Sequence, residues 1–149
     1  MTNVELARRA RISAPPCLRR VRALEEAAVI RGYHADIDPE ALGFGVTVFA
    51  LVGLQSQAEP DLRAFEELTL GWEEVRETHM LAGETDFLLK IVATDWDSYQ
   101  RFLTTRLTAA PNVAHVRSAL AIRAAKQRPG VPIAVETKLE TPGLAPTSG

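Results

Sequence analysis

The chain has 149 residues, of which 46% are hydrophobic and 24% are charged, as in an ordinary soluble globular protein. This length predicts one domain, with room for a small second domain. No apolar run reaches the roughly 18 residues that span a bilayer, and Met1 opens no signal peptide, which excludes a membrane partner and indicates the cytoplasm. The lone cysteine, Cys17, excludes an intramolecular disulfide and a cysteine-based zinc cluster, and three histidines in separate segments indicate no metal site.

The charge is divided unequally along the chain. Residues 1–35 contain seven arginines against three glutamates, a net charge of +4, whereas residues 36–149 carry a net charge of −6. A basic N-terminal segment joined to an acidic remainder favours contact between that segment and a polyanion. The alternative is a chance excess of arginine on a solvated helix face.

Residues 2–27 predict two short helices separated by a tight turn. Thr2 and Glu5 form a capping-box pattern that starts a helix ending near Ala10. Ser13 is a helix cap followed by prolines in the first turn, so a second helix is expected over Ser13–Ala27. Its buried stripe is predicted to contain Leu18, Val21 and Leu24, with Cys17, Arg19, Arg20 and Arg22 mostly off that stripe.

Two short helices joined by a tight turn, the second of them rich in arginine, form a helix-turn-helix arrangement. The alternative is a generic helical hairpin, but the arginines at and after the start of the second helix favour DNA. After this helix, Val29–Ile37 is interpreted as a wing or a strand, and Asp38–Gly43 as one capped helical turn that serves as a connector.

The middle of the chain predicts strands and helices in the order βαββαβ. The strands are Val46–Leu54, Val75–Leu81, Phe87–Ala93 and Val113–Ala124, and the helices are Asp61–Leu68 and Asp95–Leu107. The inward positions are Leu62, Phe65 and Leu68 on the first helix and Trp96, Tyr99, Phe102, Leu103 and Leu107 on the second. This order is that of the split-βαβ, ferredoxin-like sheet, which places the fold in the α+β class.

The strands near the centre of this sheet are apolar on both faces. Phe87–Ala93 is interrupted by a single charged residue, Lys90, which indicates a central strand with both faces covered. Val46–Leu54 has a second apolar face that carries Phe49 and Leu51. Because the two helices cover only one face of the sheet, the other face predicts a dimer formed through the sheet.

These elements divide the chain into a helix-turn-helix segment at residues 1–37, a linker at 38–45, a ferredoxin-like domain at 46–126 and a tail at 127–149. The tail is rich in Pro, Gly and Thr, and Val131–Val135 is the place for a further short strand. The sequence contains no Ser/His/Asp set, no paired carboxylates and no phosphate loop, so neither enzyme chemistry nor a cofactor is predicted.

Two motifs, in this order, resemble the Lrp/AsnC (feast/famine) family of transcriptional regulators. Asn3–Gly43 looks like the family's helix-turn-helix and linker, and His79–Lys90 looks like its Gly-x-x-Asp effector hairpin. The resemblance covers Asn3 to about Lys126. It implies a winged helix-turn-helix that binds DNA, joined to an amino-acid-binding domain, called the RAM domain, that forms dimers and commonly octamers.

The resemblance also implies which residues bind these partners. Double-stranded DNA would be approached by the recognition-helix residues Ser13, Pro16, Cys17, Arg19 and Arg20, with Arg22 on a phosphate. An amino-acid effector, seated between neighbouring dimers, would bind Gly83, Thr85 and Asp86, close to Ser118 and Leu120 of the last strand. Loop N–H groups suit an α-carboxylate and Asp86 suits an α-ammonium, with a simple turn cap as the alternative for Asp86.

Three features depart from the family pattern. The family's head begins with another helix upstream, so either the start lies upstream of Met1 or the head is incomplete, with less cover for Leu6, Leu18 and Val21. Ala28 stands where the family has Gly, and a left-handed cap there costs a non-glycine residue about 1–2 kcal/mol. Ala82 stands where many members have a hydroxyl residue.

Two hypotheses about function follow. The favoured one is a nucleoid-associated, sequence-specific transcriptional regulator that responds to a small effector. The other is an amino-acid-binding oligomerisation module whose head is too short to bind DNA. A small ferredoxin-like hydrolase is disfavoured because no Arg/Asn pair lies in a phosphate-cradling loop.

Overall fold

A computed structural model describes residues 1–128 and 130–132 of the chain. The chain divides into two units, one formed by residues 1–45 and the other beginning at Val46. The short strand predicted at Val131–Val135 and most of the predicted tail lie outside the described residues.

The first unit contains helix α1 (Asn3–Arg9), helix α2 (Ala14–Glu26) and a 3₁₀ turn (Glu40–Leu42). Thr2 caps α1 as predicted, because its hydroxyl accepts the N–H of Glu5 at 3.2 Å. The carboxylate of Glu5 accepts from Arg9 at 2.7 Å. The hydrogen bond of the capping box that forms is therefore the one accepted by the Thr2 side chain.

Both helices of this unit end in a left-handed residue that is not glycine. Ala28 has φ 54°, and the N–H of Val29 reaches back to the carbonyl of Leu24 at 2.9 Å, which closes α2 in a Schellman motif. Arg11 also has φ 54° and closes α1 in the same way. The left-handed conformation that suits the family's Gly at this position is therefore adopted here by Ala28.

The buried stripe of α2 differs from the prediction. Its buried side chain is Cys17, which is 3% exposed, whereas Leu18 and Val21 are half-buried and Leu24 is 43% exposed. At 1.5 Å per residue, α1 is only about half as long as α2, so it covers only part of α2.

The segment after α2 is not a wing or a strand. Residues 29–38, all of them described, have no regular secondary structure, and the hydroxyl of Tyr33 donates to the carboxylate of Glu25 at 2.6 Å. The predicted capped turn is present, since Asp38 accepts from the N–H of Glu40 at 3.0 Å and Gly43 ends the turn with φ 84°.

The second unit has the predicted βαββαβ order. Its strands are β1 (Val46–Leu54), β2 (Val75–Met80), β3 (Phe87–Ala93) and β4 (Val113–Leu120). Its helices are α3 (Glu59–Leu70) and α4 (Trp96–Phe102), and α4 continues as a π-helical turn, Leu103–Leu107. The strands form an antiparallel sheet in the order β2-β3-β1-β4, so β3 is central, as predicted.

The core of this unit lies between the sheet and its two helices. Side chains alternate along β1 and β3, and the buried set includes Val48, Ala50, Val52, Phe87, Leu89, Ile91, Phe65, Trp72, Tyr99, Phe102 and Leu107. Trp72 packs edge-on against Phe65 and Phe102. Trp72 thus belongs to the core, although it lies outside both predicted helices.

Two predicted core positions are wrong. Leu68 is 37% exposed because a rotation of about 100° per residue brings Thr69, not Leu68, onto the face that carries Leu62 and Phe65. Trp96 is 43% exposed at the first position of α4, which Asp95 caps by accepting from the N–H of Ser98 at 2.7 Å.

The second face of the sheet, here called the open face, is not covered by α3 and α4. Phe49 lies there opposite Lys90 and Ala119, and its side chain is 37% exposed. Leu51 lies beside it, opposite Leu88 and Arg117. The predicted imbalance between two apolar faces and a single helical layer is thus present within one chain.

Candidate functional site

The arginines of α2 point to different sides of the helix. Arg19, Arg20 and Arg22 are all exposed. Arg19 and Arg22 are three residues apart and share a face with Pro15 and Glu26, where they line a shallow groove. Arg20 lies about 100° around the helix from Arg19. The helix therefore offers positive charge over a broad arc.

The start of α2 is less tightly capped than the sequence indicated. Ser13 has the extended backbone of a cap residue and its carbonyl accepts from Cys17, but its hydroxyl makes no capping hydrogen bond. Pro16 is half-buried in the first turn. The Ser13 hydroxyl is therefore available to a partner at the helix N-terminus.

Cys17 does not belong to the exposed surface of α2. Its side chain is 3% exposed, and Ala7 is the other buried residue of the first unit. This burial contradicts the predicted approach of Cys17 to DNA. The thiol acts as a small apolar core group.

The turn between β2 and β3, residues 81–86, is held against the end of β1 by Asp86. The N–H of Asp86 donates to the carbonyl of Val52 at 3.0 Å, and its carboxylate accepts from the N–H of Leu54 at 2.6 Å. The Asp86 carbonyl accepts from Leu81 at 2.8 Å, which closes the turn. Thr85 is buried, whereas the tip around Gly83 is exposed.

One further residue contacts this turn, although no sequence motif pointed to it. The side-chain amide of Gln57, just beyond β1, donates to the carbonyl of Leu54 at 3.0 Å and to the carboxylate of Asp86 at 3.4 Å. Only the register of β1 against β3 brings Gln57 to Asp86, and no local pattern in the sequence indicates that register.

The two other predicted effector residues lie elsewhere in the same chain. Ser118 is opposite Ala50 and Leu120 is opposite Val48, which places them about 13 and 20 Å along β1 from Leu54 at ~3.3 Å per residue. The Ser118 hydroxyl bonds the hydroxyl of buried Tyr99, whose pKa is raised by that burial. Within one chain, Ser118 and Leu120 do not meet the turn.

The open face carries charged groups beside its apolar centre. Glu77 on β2 contacts His79 at 3.0 Å and Lys90 at 2.9 Å. The hydrogen bonds from His79 and then Lys90 hold the pKa of Glu77 below its ordinary value. Arg117 lies on the opposite edge strand, across from Leu51. The two edge strands of this face thus carry Glu77 and Arg117, and Lys90 lies on central β3 between Glu77 and Phe49.

A close contact on this face explains one glycine of β1. The imidazole of His115 lies directly against Gly53, where an added Cβ would clash with His115 Cε1. A side chain at position 53 would therefore displace the ring.

Other classes of site find little support in the described part of the chain. Among residues 1–128 and 130–132 there is no group of three or more His, Cys, Asp or Glu side chains placed to hold a metal ion. Within the same residues, no helix has both the length and the apolar character needed to cross a membrane.

A helical pair with an arginine-rich second helix, followed by a βαββαβ unit with an exposed Gly-containing turn, defines a transcriptional regulator with a separate ligand-binding domain. Residues 47–131 match the family described as the Lrp/AsnC ligand binding domain, and residues 1–31 match a winged helix-turn-helix DNA-binding family. The chain belongs to the Lrp/AsnC family of transcriptional regulators.

Similar proteins support this membership. The leucine-responsive regulatory protein of Rhizobium meliloti is 53% identical over 126 residues, which cover 85% of this chain and 81% of that protein. A transcriptional regulator of Neisseria meningitidis, solved with L-methionine, has a TM-score of 0.83 at 34% identity, covering 89% of this chain and 85% of its own. A feast or famine regulatory protein of M. tuberculosis, also complexed with L-methionine, has a TM-score of 0.76 at 31% identity, covering 88% and 87%.

Proposed function

We propose that this chain is a cytoplasmic, nucleoid-associated regulator without enzymatic activity, which binds double-stranded DNA through α2 and an amino acid at the β2–β3 turn. The observation that carries the proposal is the pairing, in one chain, of an arginine-rich helix-turn-helix with a ligand-binding domain of the Lrp/AsnC family. Two structural neighbours were solved with L-methionine, which supports an amino acid as the class of effector.

On the DNA side, we assign different roles to different parts of α2. The N-terminal residues of a recognition helix approach base edges, which gives Ser13, Pro16, Arg19 and Arg20 the positions closest to the major groove. Arg22, further along the helix, is assigned to a phosphate. Cys17 is left out because it is buried.

On the effector side, the turn offers complementary groups for the two charged ends of an α-amino acid. Backbone N–H groups of the exposed residues around Gly83 suit the α-carboxylate, and the carboxylate of Asp86 suits the α-ammonium. Because Ser118 and Leu120 of the same chain lie about 13 and 20 Å from Leu54 along β1, we propose that these residues come from a neighbouring copy. The effector then binds between dimers.

We further propose that two copies pair through the open face of the sheet. Phe49 and Leu51 supply its apolar centre, Glu77 and Arg117 supply charges on the edge strands, and Lys90 lies on central β3 in contact with Glu77. An isologous pairing of this face would bury the apolar centre of both copies. Higher assembly, up to an octamer, would bring the turn of one dimer to β4 of another.

DNA binding is tested by titrating operator and scrambled duplexes with the wild type, Arg19→Ala and Arg20→Ala at several salt concentrations. An arginine that reads a guanine edge contributes about 1–3 kcal/mol of discrimination, so its loss lowers operator affinity more than scrambled affinity. Loss of a phosphate contact weakens both duplexes alike and reduces the salt slope by about one.

The charge-matched control is Arg63→Ala, on an exposed position of α3, which should leave both affinities unchanged. If neither α2 variant changes any affinity, the assignment of α2 as the recognition helix fails. If the wild type binds an amino acid but no DNA, the chain is instead an amino-acid-binding oligomerisation module.

A further inference from the structure

One nitrogen atom beside the effector turn is held by two oxygen atoms. The Gln57 Nε2 atom lies 3.0 Å from the carbonyl oxygen of Leu54 and 3.4 Å from Asp86 Oδ2. The two acceptors come from different segments of the chain, because Leu54 ends β1 and Asp86 lies in the turn just before β3. A carbonyl oxygen and a carboxylate oxygen that converge on one nitrogen form a suitable pair of acceptors for a primary ammonium group.

The amide is a weak occupant of this pair. Its 3.4 Å contact with Asp86 is longer than the usual N–H···O range of about 2.7–3.2 Å. An ammonium carries a full charge and three donors, and charge-assisted hydrogen bonds to a carboxylate are shorter and about twice as strong as neutral ones. An incoming ammonium would therefore replace the amide with stronger bonds.

The framework around these acceptors does not depend on Gln57. Asp86 Oδ2 also accepts from the backbone N–H of Leu54 at 2.6 Å, and the Asp86 N–H donates to Val52 at 3.0 Å. Gln57 is exposed and lies outside the strands, so its side chain can swing into solvent while the turn stays in place.

We propose that the Gln57 amide is an internal substitute for the α-ammonium of the effector, bound to Leu54 and Asp86 until an amino acid displaces it. The inference rests on the proposed amino-acid site at the β2–β3 turn. It assigns Gln57 to the control of effector affinity. Because the amide competes for the same acceptors, the apparent affinity falls in proportion to the fraction of molecules in which the acceptors are free.

The test compares the full-length wild type with Gln57→Met, which has a similar length but no donor, and with Gln57→Ala. A panel of standard L-amino acids is screened by thermal shift, and the tightest binder is then titrated by calorimetry. We expect both variants to bind it roughly fivefold more tightly, which is about 1 kcal/mol at 1.4 kcal/mol per tenfold. The N-acetylated form of the same amino acid lacks the ammonium and should gain nothing.

The control variant is Gln55→Met, at an exposed position two residues earlier in the chain, which should leave affinity unchanged. Tighter binding by both Gln57 variants, confined to the free amino acid, supports the inference. Weaker binding shows that Gln57 contacts the effector directly, and unchanged binding shows that the amide does not compete; each overturns the inference and leaves the amino-acid site intact. If no amino acid binds the wild type or either variant, the proposed effector site itself fails.

Discussion

The two units of the molecule differ in how much apolar surface they bury. In residues 1–45 the buried side chains are Ala7 and Cys17, and Val4, Val29 and Ile37 are each more than half exposed. In the second unit, sheet and helices enclose a continuous core that includes Phe87, Leu89 and Ile91. Full burial of a large apolar side chain contributes about 1.5–3 kcal/mol. Side-chain packing therefore stabilises the second unit much more than the first.

This difference in buried apolar surface indicates which substitutions should destabilise each unit. With so little packing, the first unit depends on local features of its backbone: the Thr2 cap and the left-handed ends at Arg11 and Ala28. The second unit depends on side-chain volume in its core and on the hydrogen bonds that join its strands. Substitutions of the same kind should consequently have different effects in the two units.

The largest expected effect is loss of a core side chain in the second unit. Phe87→Ala should cost about 3–5 kcal/mol, because Phe87 is completely buried and its ring packs at a tilt against Phe65. Leu18→Ala, at a half-buried position of α2, should cost only about 1–2 kcal/mol. Both tryptophans, Trp72 and Trp96, lie in the second unit, so their emission during urea unfolding follows that unit alone.

The first unit is followed separately, by hydrogen exchange of the α2 amides. Phe87→Ala should lower the urea midpoint of the tryptophan signal, while Leu18→Ala should leave that midpoint unchanged and speed exchange in α2. If Leu18→Ala proved as costly as Phe87→Ala, the contrast in packing between the units would be wrong.

The next effect concerns Asp86, which serves both the fold and the proposed site. Asp86→Ala removes the acceptor of the Leu54 N–H, a buried donor, and should cost about 1–3 kcal/mol of stability. Asp86→Asn keeps an acceptor oxygen and should recover much of that loss. Because both variants lack the negative charge, both should bind the amino acid about ten- to a hundredfold more weakly.

Thermal melts and calorimetric titrations, made on the same preparations, separate these two roles of Asp86. Wild-type affinity in Asp86→Asn, with reduced stability in Asp86→Ala, would leave Asp86 as an anchor of the turn and remove it from the effector site. A loss of affinity in Asp86→Asn with little change in melting temperature would support the contact with the ammonium.

Much of the fold could be predicted because its signals are local. The apolar runs of β1 and β3 and the cap at Thr2 each depend on residues within a few positions of one another, whereas the left-handed end at Ala28 was raised only by the family's Gly at that position. The errors came from positions that local patterns do not determine. Leu68 was assigned inward by three-residue spacing, although a rotation of 100° per residue selects Thr69 instead.

The site could be predicted only in part, because its contacts join distant strands. The resemblance to the family's effector hairpin predicted a role for Asp86. The hydrogen bonds from Leu54 and Gln57 to the Asp86 carboxylate, however, depend on the register of β1 against β3. The contact of His115 with Gly53 depends on the register of β1 against β4. Cys17 was misplaced because a small apolar thiol among arginines gives no periodic signal of burial.

A smaller effect should come from the backbone of the first unit. Ala28→Gly removes a left-handed strain of about 1–2 kcal/mol but adds chain entropy to the unfolded state, for a net gain of about 0.5–1 kcal/mol. Ala27 has an ordinary φ of −77°, so the matched control Ala27→Gly should be destabilising. Hydrogen exchange in α2 should slow in the first variant and quicken in the second.

The tryptophan-monitored stability of the second unit should be the same in both glycine variants. A destabilising Ala28→Gly would show that position 28 is not strained, and a shift in the tryptophan transition would show that the two units do not unfold independently.

The smallest effect should come from Glu77, on the open face of the second unit. Hydrogen bonds from His79 and Lys90 lower the pKa of the Glu77 carboxyl in the folded state. The stabilisation that this shift provides is present above the unfolded-state pKa of about 4.3, and it is lost as the pH falls through the folded-state pKa. Glu77 is 46% exposed, so solvent screens the pair and Glu77→Gln should cost only a few tenths of a kcal/mol at pH 7.

The difference in melting temperature between wild type and the Glu77→Gln variant should be about 1–2 °C at pH 7 and should shrink below about pH 4. Glu67→Gln, on an exposed position of α3, is the control and should show no such pH-dependent difference. An offset that stays constant from pH 7 to pH 3 would mean that the Glu77 charge does not stabilise the folded unit.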